Sequence, residues 1–185
     1  MYLSFGGRIF MSSSKTMKIT YTAIMLALLI VVQYITKSLG QFVTGSLVNL
    51  ILIASVVLGG LLSGCIVAVV SPFLAFLVGI GPAFVQIIPF IALGNLVLVL
   101  VYYFIFSKIN GKTKWLYAAI AGAAIKFLVL YAGIVKIALS IIPNLKEKQI
   151  EMISASFSWP QLVTALIGGV VAFLILPAVQ KALSK

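Results

Sequence analysis

Acidic residues, histidine and cysteine are almost absent from this chain of 185 residues. It contains two Asp or Glu residues, no histidine and one cysteine. Metal sites and nucleophile–base pairs are built from these residue types, so the sequence predicts no metal, no cofactor and no catalytic site, and hence no enzyme. There is also no glycine-rich Walker motif for binding ATP. Cys65 lies within an apolar run and is predicted to be a small buried hydrophobic residue.

Charged residues of both signs are scarce as well. Only 8% of the residues are charged and 63% are hydrophobic, whereas about a quarter of a soluble domain is charged. The composition therefore predicts a protein whose solvent is the lipid bilayer. The net charge of +11 would suggest nucleic acid in a soluble protein. Here the basic residues lie mostly between apolar runs, so they indicate orientation in a membrane, and no nucleic-acid partner is expected.

The apolar runs predict an all-α integral membrane protein with six transmembrane helices in one compact bundle. This membrane domain spans residues 19–183 and follows a cytoplasmic N-terminal segment, residues 1–18. The second and third spans are short, and together they could form a hairpin that does not fully cross the bilayer. The predicted spans are residues 19–36, 46–62, 64–80, 83–106, 115–142 and 161–181.

The basic N-terminal segment could also begin a signal peptide. The apolar run 19–35 is longer than the hydrophobic region of most signal peptides, and no clear cleavage site follows it, so a retained first helix is predicted. The translation start remains open among Met1, Met11 and Met17.

The distribution of lysine and arginine predicts that both termini are cytoplasmic. With that orientation, eight basic residues lie in the inner segments and three in the outer segments, as the positive-inside rule requires. The long connection 143–160 then faces outward. It contains both acids, Glu147 and Glu151, and is predicted to hold a short amphipathic helix with Ile150 and Ile153 on one side.

Polar side chains within the spans concentrate in the outward half of the bundle, below this long connection. Polar groups are costly in a bilayer and need partners, so their convergence predicts an outward-facing solute cavity with a lid. For each Asn or Gln the alternative is a hydrogen bond between helices that only stabilises the bundle. The seven predicted substrate-binding residues are Asn49, Gln86, Asn95, Lys126, Lys136, Trp159 and Gln161.

The two lysines of the fifth span have different alternatives. Lys136 could extend to the outer headgroups. Lys126 lies about 16 Å from the inner end of its helix, which is too deep for that. No Asp or Glu lies within any predicted span. Lys126 could therefore lose its proton, donate to carbonyl groups, or face a cavity that receives an anionic ligand group.

The first span carries a more specific pattern, Ala23-Ile-Met-Leu-Ala27. With the six short spans, the long connection before the sixth span and the basic inner ends, it resembles the substrate-binding S components of energy-coupling factor (ECF) vitamin transporters. In that family an Ala-x-x-x-Ala motif meets the transmembrane coupling subunit. Two small residues one turn apart let another helix approach closely. The stretch 61–84 and the sequence from Pro89 to Asn95 are also similar to the family, and the resemblance covers about residues 17–183.

The resemblance implies a high-affinity binding component of a bacterial importer in the cytoplasmic membrane. Its partners would be the coupling subunit, contacted by Ala23 and Ala27, and two ATPase subunits. Because the predicted cavity has two lysines and no acid, an anionic vitamin such as pantothenate, biotin, nicotinate or a folate is favoured over cationic thiamine. The alternative is a self-sufficient carrier or channel that acts as a homo-oligomer.

Overall fold

The computed structural model describes residues 3–5, 8–10, 15–82 and 84–183. Part of the predicted cytoplasmic segment 1–18, including the alternative starts Met1 and Met11, lies outside these residues. The described part is mostly helical and also contains two three-residue strands, β1 (Leu3–Phe5) and β2 (Arg8–Phe10), which pair in antiparallel fashion.

Seven α-helices follow the strands in the described chain. Most of them are long apolar segments, and the second, third and fourth have no side-chain cap at the N-terminus. By length and composition, five helical stretches of the described chain can cross a membrane. The shorter α6 is predicted correctly as a helix within the connection 143–160. The helices are α1 (Lys15–Thr36), α2 (Gln41–Leu77), α3 (Ile88–Lys108), α4 (Thr113–Leu130), α5 (Leu139–Ile141), α6 (Glu147–Ser156) and α7 (Trp159–Leu183).

Helix α2 lies at the centre of the bundle, where it packs against α1, α3 and α7. Its residues 51–58 are all buried, which fits a stretch without polar side chains except Ser55. The hydroxyl of Ser55 donates to the carbonyl oxygen of Leu52 within the same helix (2.7 Å). Helix α4 completes the bundle by packing against α3 and α7.

The chain of α2 reverses direction at Gly60. This residue has φ 84° and ψ 179°, a backbone conformation found almost only for glycine. A straight helix would separate Val56 from Gly64 by about 12 Å, yet a Cβ atom added to Gly64 would lie 2.7 Å from the Cβ of Val56. The predicted second and third spans are therefore the two arms of one hairpin, residues 41–59 and 61–77.

Helix α4 also changes geometry along its length. A π-helical segment, Tyr131–Ala138, continues α4 and leads into the single turn of α5. A π-helix has i→i+5 hydrogen bonds and so more residues per turn than an α-helix. Side chains after Leu130 therefore point in directions that an α-helical count does not give.

The connection after α5 folds back over the bundle. Side chains from α3, α4, the π-helical segment and α6 form a second apolar cluster there, separate from the main core around α2. Within it, Ile153 of α6 is buried. The backbone of Ser156, at the end of α6, accepts hydrogen bonds from the Nε2 atoms of Gln41 and Gln161. These contacts hold α6 against the first arm of the α2 hairpin and against α7.

The reversal at Gly60 leads to a stability prediction. Gly60→Ala should lower the free energy of unfolding by about 1–3 kcal/mol, because a Cβ atom strains this backbone conformation. Thermal or denaturant unfolding of the purified protein in detergent measures the change. Leu62→Ala is the control, since the Leu62 side chain is 70% exposed and contributes little to packing. Equal stability of Gly60→Ala and the parent protein would contradict the prediction.

Candidate functional site

The candidate site is centred on the ammonium group of Lys126, which α4 places inside the bundle. Its side chain is only 3% exposed. Nζ donates to Oδ1 of Asn49 on α2 (2.6 Å) and to Oδ1 of Asn95 on α3 (2.8 Å). Since a lysine ammonium can only donate, both asparagines must turn their carbonyl oxygens toward it. Three helices are thus joined through one lysine side chain.

A fourth helix joins this network through Thr164 of α7. Nδ2 of Asn49 lies 3.4 Å from Oγ1 of Thr164, and both residues are buried. Small residues permit the close approach of α2 and α7, since a Cβ atom added to Gly168 would lie 2.7 Å from the Cβ of Asn49. The position of Asn49 therefore depends on glycine in α7.

A cavity of about 260 Å³ opens beside this network, and we call it the polar cavity. Both arms of the α2 hairpin contribute to it, together with α1, α3, α4, α6 and α7. No described residue of its lining is acidic, so Lys126 is its only charged group within the described chain. Its polar lining side chains are Gln33, Gln41, Thr44, Asn49, Ser71, Asn95, Lys126, Ser156 and Gln161.

Gln33 of α1 contributes to this lining a hydrogen-bond acceptor that is unpaired within the described chain. Its Oε1 atom is buried and accepts no hydrogen bond from any described residue. An unsatisfied buried acceptor costs about 1–3 kcal/mol, and such groups are uncommon in folded proteins. Gln33 is therefore available to accept a hydrogen bond from a molecule in the cavity.

Four of the seven residues predicted from the sequence line the polar cavity: Asn49, Asn95, Lys126 and Gln161. They come from four different helices. The sequence analysis identified them by their depth along the predicted membrane spans. Nε2 of Gln161 donates a hydrogen bond to the carbonyl oxygen of Ser156 (3.1 Å). This side chain therefore also holds α6 in place.

The other three predicted residues lie elsewhere. Gln86 is exposed, in a short 3-10 turn before α3. Trp159 is 61% exposed and its ring lies 5.6 Å from that of Phe42. Lys136 is exposed, with Nζ 5.5 Å from the centre of the Tyr131 ring. A rotation of about 80° from Lys126, counted at α-helical geometry, would have turned Lys136 toward the cavity. The π-helical segment changes that rotation.

Several residues that line the polar cavity, and Thr164 in the network beside it, were not among the predicted set. Gln33 was visible as a polar residue near the outer end of the first span, and Gln41 as one in the first loop. Thr164 lies three residues after Gln161 and hence on the same face of α7. That spacing is a signal that could have found it. Ser71 and Ser156 carry no comparable signal in the sequence.

A separate groove lies at the opposite end of the bundle. It has a volume of about 460 Å³ and lies between the first half of α1 and the Gly60 turn of α2. Lys18 and Ala23 line it, and both Ala23 and Ala27 are exposed. These two alanines are therefore not packed within the described bundle.

Comparison with known proteins identifies the class. The family model for the substrate-specific component of ECF transporters matches residues 17–180, which confirms the family predicted from the sequence. The chain belongs to this family of ECF transporter substrate-specific components. The family is one of transporter subunits rather than enzymes, in agreement with the predicted absence of catalysis. No curated protein and no solved structure shows a significant match to the chain.

The lysine–asparagine network leads to a second prediction. Asn49→Leu and Lys126→Met should be energetically coupled, because each removes the same buried hydrogen bond. A double-mutant cycle on the free energy of unfolding in detergent should give a coupling of about 0.5–3 kcal/mol. Asn49→Leu combined with Lys136→Met is the control cycle, and its coupling should be near zero because Lys136 is exposed. Equal coupling in the two cycles would contradict the network.

Proposed function

We propose that this chain captures a small water-soluble vitamin or vitamin precursor from outside a bacterial cell. It would deliver the solute into an ECF-type importer as the substrate-binding component. The observation that carries the proposal is the buried Lys126 beside a cavity with no acidic lining residue. A ligand carboxylate would balance a positive charge on Lys126 and a ligand carbonyl group would accept a hydrogen bond from it, whereas a cationic solute such as thiamine would find no partner. Pantothenate, biotin, nicotinate and folates all carry such an acceptor.

The proposed membrane arrangement has six spans, with both termini on the cytoplasmic side. Its support is the reversal at Gly60, with which α2 would cross the membrane twice. A straight helix of 37 residues would be about 55 Å long, far more than the ~30 Å of hydrocarbon. The described ends of the membrane helices carry Lys15, Lys18, Lys108, Lys112, Lys114 and Lys181 on the proposed inner side.

This arrangement is tested by reporter fusions. A reporter active only in the cytoplasm should be active at either terminus, because six crossings return the chain to its starting side. The same reporter inserted after Lys146 in the outer connection should be inactive and serves as the control. Activity at one terminus only would indicate an odd number of spans and would contradict the arrangement.

The proposed partners are a transmembrane coupling subunit and two ATPase subunits. The support is the exposed pair Ala23 and Ala27, next to the apolar groove at the proposed cytoplasmic end. Two exposed small side chains one turn apart form a flat surface against which another helix can pack closely. The alternative function, a self-sufficient carrier or channel, would need no such partner.

Two substitutions separate coupling from capture. Ala27→Trp should abolish ATP-driven uptake in cells that contain the coupling and ATPase subunits, because the large ring blocks close helix approach. Solute affinity of the isolated variant should stay nearly unchanged. Lys126→Met should instead weaken solute binding by about tenfold or more, since a hydrogen bond to a charged group contributes about 1.5–3 kcal/mol.

Lys136→Met is the matched control for Lys126→Met, because it removes the same charge from an exposed position of the same span. Uptake, co-purification of the ATPase subunits and binding to the isolated protein are measured for each variant. Uptake that continues without any ATPase subunit would overturn the proposed function in favour of the carrier. Loss of solute binding in Ala27→Trp would overturn the proposed role of the alanine pair.

A further inference from the structure

A second cavity adjoins the polar cavity and has a different chemical character. Its volume is about 340 Å³, and we call it the apolar cavity. Only two of the residues described in its lining, Gln33 and Ser156, have polar side chains. The hydroxyl of Ser156 donates to the carbonyl oxygen of Met152 (2.8 Å). The rest of the lining consists of aliphatic, aromatic, glycine and proline residues, which favour an apolar occupant.

The two cavities share a boundary. The six residues that line both are Gln33, Pro72, Ile80, Ile91, Ser156 and Phe157. A molecule that enters the polar cavity can therefore extend into the apolar cavity beneath α6. The polar cavity alone, at about 260 Å³, is smaller than most small-molecule sites, which have about 300–1,000 Å³. The two spaces together reach that range.

Hydrogen-bonding groups are unevenly distributed along this combined space. At one end, an ammonium group on Lys126 has three N–H donors, and two of them are used by Asn49 and Asn95. The third is available to an acceptor. At the boundary between the cavities, the buried Oε1 of Gln33 lacks a donor among the described residues. Beyond Gln33, the lining offers almost no polar side chain.

We propose that the solute is an elongated amphipathic acid that occupies both cavities. Its carboxylate contacts Lys126, an N–H or O–H group further along the molecule donates to Gln33, and an apolar tail lies in the apolar cavity beneath α6. The proposal rests on the proposed function and specifies its substrate class. It favours elongated acids over compact ones, which would fill the polar cavity alone.

Simple N-acyl amino acids are suitable probes because each part can be changed separately. N-acetyl derivatives of glycine, β-alanine and 4-aminobutyrate vary the distance between the carboxylate and the amide N–H. For the best spacing, acyl chains of increasing length probe the apolar cavity. The N-methyl amide removes the donor, and the methyl ester removes the negative charge. Binding to the full chain in detergent is measured by titration calorimetry.

We expect affinity to rise about three- to fourfold for each added methylene group until the apolar cavity is full. N-methylation and esterification should each weaken binding by about tenfold, as the loss of a hydrogen bond to a buried group does. Binding that does not depend on chain length, or is unaffected by N-methylation, would overturn the proposal. If N-methylation has no effect, the donor to Gln33 would be water and not the solute.

Three variants assign each effect to its residue. Gln33→Leu should remove the difference between the amide and its N-methyl form. Lys126→Met should remove the difference between the acid and its ester. Ala75→Leu, which adds volume inside the apolar cavity, should remove the gain from longer chains and leave the acetyl compound unaffected. If Ala75→Leu folds poorly, Met152→Trp serves instead, because Met152 lines the cavity from α6 and is 63% exposed.

These variants also control for partition of the longer acyl chains into detergent. A chain-length effect caused by detergent would be the same in Ala75→Leu as in the parent protein. A chain-length effect that persists in both Ala75→Leu and Met152→Trp would therefore overturn the proposal. If the ATPase subunits co-purify with the chain but none of the acids binds, the substrate class is wrong while the proposed function stands. If the acids bind as expected but no ATPase subunit is needed for uptake, the substrate class stands and the proposed function fails.

Discussion

The buried ammonium group of Lys126 is the constraint on which the arrangement of the helices depends. A cation in the bundle interior has no bulk water to solvate it, so the protein must supply acceptors. Here they are two amide oxygens, from Asn49 and Asn95, and no acidic residue. Neither amide carries a compensating negative charge. The network therefore joins α2, α3 and α4 at one depth and presents a basic nitrogen to the cavity beside it.

Close helix packing is what allows such short hydrogen bonds to form across the bundle. A Cβ atom added to Gly94 would lie 2.6 Å from Leu130, and one added to Gly168 would lie 2.7 Å from Asn49. Small residues at these contacts bring the backbones together, as they do in membrane helix pairs generally. The turn at Gly60 has a related effect, because it returns the second arm of α2 to the cavity. Ser71 and Pro72 then face residues of the first arm.

Depth along the spans was sufficient to predict that Asn49, Asn95, Lys126 and Gln161 lie around one cavity. Depth does not give the direction of a side chain about the helix axis, and Lys136, Gln86 and Trp159 lie outside the cavity lining. The π-helical segment Tyr131–Ala138 has no clear sequence signature, so the direction of Lys136 could not be predicted. Hydropathy located the arms of α2, whereas their close packing depends on Gly60 and Gly64, whose tertiary contacts the sequence does not display.

Helix α1 contributes to both ends of the molecule, and it could therefore connect the proposed solute capture with the proposed coupling. Gln33 lines the two cavities, while Ala23 lines the groove at the opposite end. These residues lie ten positions apart on one continuous helix, or about 15 Å. If α1 moved as one rigid element, a solute that draws Gln33 toward the cavity would also shift the alanine pair. Coupling between the two sites then requires no relay through loops, only a change in how α1 packs against α2.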